Sequence, residues 1–319
     1  MRNTPPAAPI MGSGRHRYRC QHDWGRLPET ILWGKTHAVV IDAQERVYIG
    51  HTSRPESPCQ DTVVVFDREG NFQHSWGPEH AGHTHGLLLA READGREVLY
   101  LTNDREGVFK TTLDGTLLQR FPKPEFYERE GLKFGPANVA LAPNGDVYLA
   151  EGYGAAYVLR YDESGRYLGR FGGRGDTEAH TTWAHGAFIA TVAGEPLLHV
   201  CVDAPSAIKR FTLAGEFHSL LPGTYLHPRN IYAQGNRWAI PEMQGRLTLL
   251  DHDTGETVHL GHWGKTMEDI FELRRGPRET FPVGAFVSAH GAAFFPNGDL
   301  IVTEWVEVGR VNRLTRLPA

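Results

Sequence analysis

Three His-Gly dipeptides, His85-Gly86, His185-Gly186 and His290-Gly291, stand 100 and 105 residues apart. Each occurs where a short apolar stretch leads into a second one and a tight turn. A neutral imidazole offers a lone pair to a divalent cation, and a set of three leaves such an ion one or more open positions for water or substrate. The spacing is about twice that of a shorter internal repeat, so the rings are expected to project from every second unit of a closed ring onto one axis. The chemistry this set points to is metal-assisted.

The elements that must position them come from that shorter repeat. Its strongest copies are NVALAPNGDVYLAE (138–151) and HGAAFFPNGDLIVTE (290–304), two strands joined by Pro-Asn-Gly-Asp. Asn-Gly readily adopts positive φ and the flanks are β-rich, so each copy predicts a hairpin. Weaker copies begin at 37, 85, 185 and 230, making six. Most are followed by a second hairpin with Gly at its turn, as in TVVVFDREGNFQHSW (62–76) and YVLRYDESGRYLGRF (157–171). The sixth unit supplies only GRVNRLTRL (309–317), one strand short. HRYRCQHDWG (16–25) resembles the missing piece, ending in Trp-Gly as QHSWG does. The expected fold is therefore all-β, a six-bladed β-propeller over residues 15–319. An N-terminal strand completes its last blade and removes the free edge. Residues 1–14 are expected to be a flexible leader, and the longer insertion at 262–282 a surface loop near one mouth.

Composition is compatible with this. The 319 residues are 40% apolar and 22% charged, and 36 Gly with 20 Pro imply many turns and little room for long helices. With 33 basic and 38 acidic residues the net charge is −5, which argues against nucleic acid or an anionic membrane surface as partner. Cys20, Cys59 and Cys201 are widely spaced and odd in number, the pattern of reduced thiols in a cytoplasmic protein. The N-terminal stretch has no signal-peptide core, and no segment is long and apolar enough to span a bilayer.

In a propeller the first strand of each blade lines the channel, which predicts a ring of His37, His85, Asn138, His185, Asn230 and His290. His85, His185 and His290 are the expected metal ligands. His-Gly pairs that merely fix loops would be the structural alternative, but those go with a Trp-Asp on the third strand, and none occurs. His37 lacks the following Gly; an acid/base role is expected for it, with ligation or a purely structural place as alternatives. Asp104, Glu151, Asp203, Glu242 and Glu304, at the ends of second strands, could orient the imidazoles by accepting their other N–H. Tyr153 is expected to overhang the mouth, where a phenol can bind or transfer a proton. Arg54, Arg105 and Arg229 are possible anion binders, and His51, His83 and His227 further rim positions.

These residues resemble NHL-repeat propellers and, among them, the peptidyl-α-hydroxyglycine α-amidating lyases. The similarity is sharpest in HGLLLA (85–90), GPANVALAPNGDVYLAEGYGAAYVLRYDESGRYLGRFG (135–172), AHGAFIA (184–190) and AHGAAFFPNGDLIVTE (289–304). The resemblance implies zinc on His85, His185 and His290, a catalytic tyrosine at Tyr153 in Glu151-Gly152-Tyr153, and a catalytic arginine whose nearest counterpart is Arg54. It departs from the family at Gly291, where an Asp would support a structural calcium, and at Asp203-Ala204-Pro205, where a second arginine would stand.

The expectation is a metal-dependent lyase acting on a small polar hydroxylated molecule. Zn²⁺ is the first choice of metal, and Fe²⁺ or Mn²⁺ also fit three imidazoles. A metal-dependent hydrolase of the lactonase kind is the alternative, since the same ion serves it as readily. Further alternatives are oxygen chemistry on four histidines and a non-catalytic propeller that presents one face to a protein partner.

Overall fold

The computed structural model describes residues 8–318, which form six antiparallel sheets arranged as the blades of a propeller. Blade 1 is built from Thr36–Ile41, Val47–His51, Val63–Phe66 and Phe72–Trp76, and the same inner-to-outer order repeats around the ring. The first strands of blades 2 to 6 are Thr84–Arg91, Asn138–Leu141, Ala184–Val192, Tyr232–Gln234 and Ala289–Phe294. These lie within two residues of the six starts expected from the repeat.

The turns follow the chemistry of their residues. At both Pro-Asn-Gly-Asp turns the glycine has positive φ, +88° at Gly145 and +86° at Gly298. Its N–H closes the turn onto Ala142 O and Phe295 O, each at 2.9 Å. The asparagine side chain accepts the aspartate N–H two residues on, at 3.2 Å for Asn144 and 3.1 Å for Asn297.

Each sheet is apolar on both faces, and an apolar cluster fills each of the six junctions between blades. Val40, Val63 and Val65 of blade 1, for example, pack against Leu87, Leu99 and Phe109 of blade 2. The inner strands are thereby held from both sides, and side chains at their starts stand on rigid supports.

Closure occurs as expected and goes further. Tyr18–Gln21 pairs antiparallel with the C-terminal strand Arg310–Arg316, with Cys20 opposite Leu314. Ile10–Met11 then adds a fifth strand on Tyr18 and Arg19. The 1–14 segment thus contributes to the sheet at its far end, while residues 1–7 of the expected leader lie outside the described residues. The 262–282 insertion carries a short helix, Met267–Leu273, whose N-terminus is closed by a capping box between Thr266 and Asp269. Among the described residues no helix is long and apolar enough to cross a membrane.

Candidate metal centre and cavity

Four histidines meet at the channel mouth. The rings of His85, His185 and His290 form a nearly equilateral triangle, with centroids 4.8, 4.9 and 5.0 Å apart. His37 lies 4.5 Å from His85 and 4.7 Å from His290. The register of each of the four inner hairpins slips at or beside the histidine, between Thr36/Ala38, Thr84/Leu87, Ala184/Gly186 and Ala289/Gly291. Bulges of this kind re-aim a side chain. Asn138 and Asn230 fill the other two places of the ring, and the Asn138 amide donates to His185 O at 3.0 Å.

The His-Gly pairing has a specific cause. Each of the three imidazoles donates Nδ1–H to a backbone carbonyl of the next blade: His85 to Ala137 O (2.8 Å), His185 to Arg229 O (2.9 Å) and His290 to His37 O (2.9 Å). A Cβ on the following residue would strike that same carbonyl. It would fall 2.6 Å from Ala137 O at Gly86 and 2.6 Å from His37 O at Gly291, and it would meet Arg229 O at Gly186. Glycine is therefore needed to bring the strand within reach of its neighbour, rather than to clear the channel. After His37 stands Ala38, and His37 has no carbonyl partner. Threonines support two of the acceptors, Thr102 on Ala137 O at 2.8 Å and Thr303 on His37 O at 3.0 Å.

Backbone carbonyls thus do what the sequence assigned to a ring of carboxylates. Glu151 instead takes Tyr127 Oη (2.7 Å), Gly135 N (3.0 Å) and Ala155 N (2.9 Å), which fixes the loop carrying Tyr153. Glu242 pairs with Arg246, and Glu304 receives Ser288 N at 3.1 Å and Asn312 Nδ2 at 2.8 Å. Asp104 holds His83 at 2.7 Å, and Asp203 forms an ion pair with Arg229. These acids are satisfied by backbone amides, hydroxyls and basic side chains because the imidazoles face away from them.

With Nδ1 committed as donor, Nε2 of His85, His185 and His290 must carry a lone pair. The Tyr153 hydroxyl stands between two of these atoms, 2.8 Å from His85 Nε2 and 3.1 Å from His185 Nε2. A phenol has one proton, so it can donate to only one of them. The other contact sets lone pair against lone pair, an arrangement that a cation relieves. His37 adds two buried nitrogens, neither with a hydrogen-bond partner. Ligand nitrogens of His37, His85 and His290 all come within 4.8 Å of one another. The sequence favours an acid/base role for His37 with ligation as an alternative; the structure puts it in the cluster with His85 and His290.

Electrostatics agree with a cation site. Burial pushes His85 down to about 4 and holds His37, His185 and His290 well below the usual imidazole range, with their mutual proximity acting in the same direction. All four are neutral at neutral pH, the state in which imidazole ligates. Burial also raises the Tyr153 phenol to about 12, so it remains a proton donor. A cluster of buried neutral imidazoles, with His37 unpaired among them, fits a borderline divalent ion such as Zn²⁺ or Fe²⁺.

Above the cluster lies a cavity of about 480 Å³ whose floor includes Tyr153, His185 and His290. Asp203, His227 and Arg229 form one polar corner. Arg229 places its guanidinium on Asp203 and its carbonyl on His185, and so connects that corner to the cluster. Arg54 is not part of this cavity: it lines a separate depression with Lys35, Ser53 and Glu56 and pairs with Glu56 at 3.3 Å. Sequence reasoning also missed the wall contributed by the insertion. Met267 and Phe271 line the cavity from the short helix, and Trp305 joins them from the loop after blade 6's second strand. The signal was an i,i+4 apolar pair behind a capping box. Arg274 ends this helix and stacks on Trp305, with its guanidinium carbon 3.3 Å from the ring centroid.

No protein-family model matches the sequence, and no curated protein matches it either. Among solved structures, a gluconolactonase from Xanthomonas campestris shares 14% identity with a TM-score of 0.58, over 98% of this chain and 99% of that one. Two other similar structures carry provisional assignments. One is a gluconolactonase solved by structural genomics (15% identity, TM-score 0.59, 95% and 94% coverage). The other is the extracellular domain of a hybrid two-component system from B. thetaiotaomicron (11% identity, TM-score 0.59, 93% of this chain and 41% of that one). At these identities the likeness is one of fold.

Proposed function

We propose that this protein is a metal-dependent hydrolase that opens lactones, or closely related esters, at the floor of the cavity. The observation that carries the reading is the Tyr153 hydroxyl held between two imidazole lone pairs beside a fully unpaired His37. The two gluconolactonase-named structures of the same fold support hydrolysis over the lyase alternative.

Among the described residues the ligand nitrogens grouped within 4.8 Å of one another are those of His37, His85 and His290; the set expected from the sequence, with His185 in place of His37, is the alternative triplet. A divalent ion held there would supply Lewis acidity toward a carbonyl oxygen and an acidified water. The chain's own groups do the rest. The carbonyls of Ala137, Arg229 and His37 fix three imidazole planes so that the donor set costs no reorganisation. In the net reaction, water oxygen bonds to the carbonyl carbon, the ring C–O bond breaks, and the departing alkoxide takes a proton to give a hydroxy acid. Tyr153 Oη, whose phenol burial holds above its ordinary value, is placed to hold or deliver that proton.

The lyase reading rests on the Glu151-Gly152-Tyr153 resemblance and uses the same floor. One experiment separates the two. Metal-loaded protein is offered a panel of γ- and δ-lactones and, in parallel, a peptide ending in α-hydroxyglycine. Acid release from a lactone, abolished by chelation, is expected; glyoxylate release from the peptide without lactone opening would replace this reading with the lyase.

A further inference from the structure

We infer that the substrate of this cavity carries an apolar substituent, an alkyl or aryl group, rather than the polyhydroxylated frame of a sugar lactone. This deepens the hydrolase reading and rests on it for the reacting group. Such a substrate differs from the small polar hydroxylated molecule expected from the histidine set and the lyase resemblance.

The walls carry the inference. Above the floor the cavity is lined by Trp183, Met243, Met267, Phe271 and Trp305. Its volume of about 480 Å³ lies in the range of sites for small organic molecules, roughly 300–1,000 Å³. Among the described Phe, Trp and Tyr residues only Trp183, at 43%, and Phe271, at 38%, are exposed, and both face this cavity. Isolated exposed apolar residues need no explanation, but two aromatics and two methionines around one opening mark a binding surface.

The local structure builds this wall on purpose-made supports. In the helix Met267–Leu273, positions 267 and 271 are i,i+4 and share a face, while Ile270 is fully buried and anchors the helix to the body. Arg274 donates Nε–H to Trp305 O at 3.1 Å, stacks on the indole, and pairs with Glu307 at 3.0 Å. Trp305 is thereby held as a fixed plate, and it meets Phe271 in a T-shaped contact with ring centroids 6.2 Å apart.

The charges at the polar corner are already engaged, and the walls above them offer few hydrogen bonds. Asp203 and Arg229 pair with each other, Arg229 Nε donates to His227 O at 3.0 Å, and Tyr153 faces His85 and His185. A ring bearing several hydroxyls would lose its water against these walls without recovering hydrogen bonds, whereas an alkyl or aryl group gains by leaving water.

The test uses γ-alkyl lactones of increasing chain length, from γ-butyrolactone to γ-decalactone, with glucono-δ-lactone as the hydroxylated comparison. KM is expected to fall about threefold to fourfold per added methylene until the cavity is full, and glucono-δ-lactone to be the poorest substrate. In parallel, the matching γ-alkyl lactams, which resist hydrolysis, are titrated against tryptophan fluorescence. Lactams that bind tighter with chain length while no lactone opens would uphold the apolar pocket and remove the hydrolase reading. Glucono-δ-lactone turned over as well as any alkyl lactone, with no chain-length trend, would overturn this inference and leave the hydrolase reading intact. Phe271→Ala and Trp183→Ala, at exposed positions that leave the core filled, should each shrink the advantage of long over short chains by about tenfold. An unchanged advantage in both also overturns it.

Discussion

His185 donates its Nδ1–H to the carbonyl oxygen of Arg229 at 2.9 Å, across the junction between blades 4 and 5. His85 and His290 repeat the bond across the junctions 2/3 and 6/1. The tautomer of each imidazole is therefore set by a main-chain atom of a neighbouring, rigidly packed sheet. Glycine after each histidine makes the approach possible. The cluster is a consequence of how blades abut, and it can be perturbed without touching an imidazole.

Gly186→Ala should do so. The added Cβ would meet Arg229 O, the acceptor for His185. Expected is a loss of roughly 1–3 kcal/mol of folding free energy, as for other overpacked sites, together with weaker metal binding. Guanidinium unfolding and metal titration check it; a variant with wild-type values for both would show that the close approach is incidental.

Tyr153→Phe removes the hydroxyl shared by His85 and His185 while keeping the ring that packs on them. If Tyr153 handles the proton of the leaving alkoxide, kcat should fall by about 10²–10⁴ with metal content retained. Steady-state kinetics on whichever lactone the wild type opens best decides this. A kcat within a few-fold of wild type would return Tyr153 to a packing role.

Acid should destabilise the fold well before its carboxylates titrate. His51 and His199 are fully buried, and burial lowers them to about 3 and about 4 respectively. In the unfolded chain both regain an ordinary value near 6.5. Folded pKa values below unfolded ones mean that stability is complete above about pH 6.5 and is lost as pH falls from there toward the folded values. Between pH 7 and pH 5 the two together should remove about 3–4 kcal/mol. Denaturant unfolding at the two pH values measures it, and equal midpoints would contradict the burial of neutral imidazoles.

The closing strand makes a separate prediction. Tyr18 is 1% exposed and stands opposite Arg316 in blade 6. Tyr18→Ala should cost about 3–5 kcal/mol, the range for deleting a large buried aromatic. Thermal unfolding reads the loss, and a variant melting with the wild type would mean that the N-terminal strand is dispensable.

The fold could be read from the sequence because a propeller writes its architecture as a repeat. Six hairpin starts, the Asn-Gly turns and one incomplete unit specified blade number and closure. Convergence of His85, His185 and His290 followed from their alternate-blade spacing. What stayed hidden depended on atoms with no side-chain identity: the carbonyls of Ala137, Arg229 and His37 lie 44 to 253 residues from the imidazoles they orient. Carboxylates at strand ends looked like the orienting groups, yet they serve their own loops. For His37 the sequence puts ligation second because it lacks the following glycine, and in the structure it makes no carbonyl bond of the kind that glycine permits. Arg54 was a loose positional match and lies in another depression. The insertion at 262–282 was expected near one mouth, but it has no counterpart in the repeat, so nothing indicated that Met267 and Phe271 would join Trp183, Met243 and Trp305 in an apolar wall.

Metal content measured by inductively coupled plasma mass spectrometry decides whether these imidazoles form a cation site. His290 belongs to both candidate triplets, so wild type and His290→Ala are compared after loading with Zn²⁺, Fe²⁺ or Mn²⁺ and removal of excess ion. About one equivalent in the wild type and none in His290→Ala, with both folded by circular dichroism, is the predicted result. A folded wild type that retains no metal, or a His290→Ala protein that retains as much, would contradict it.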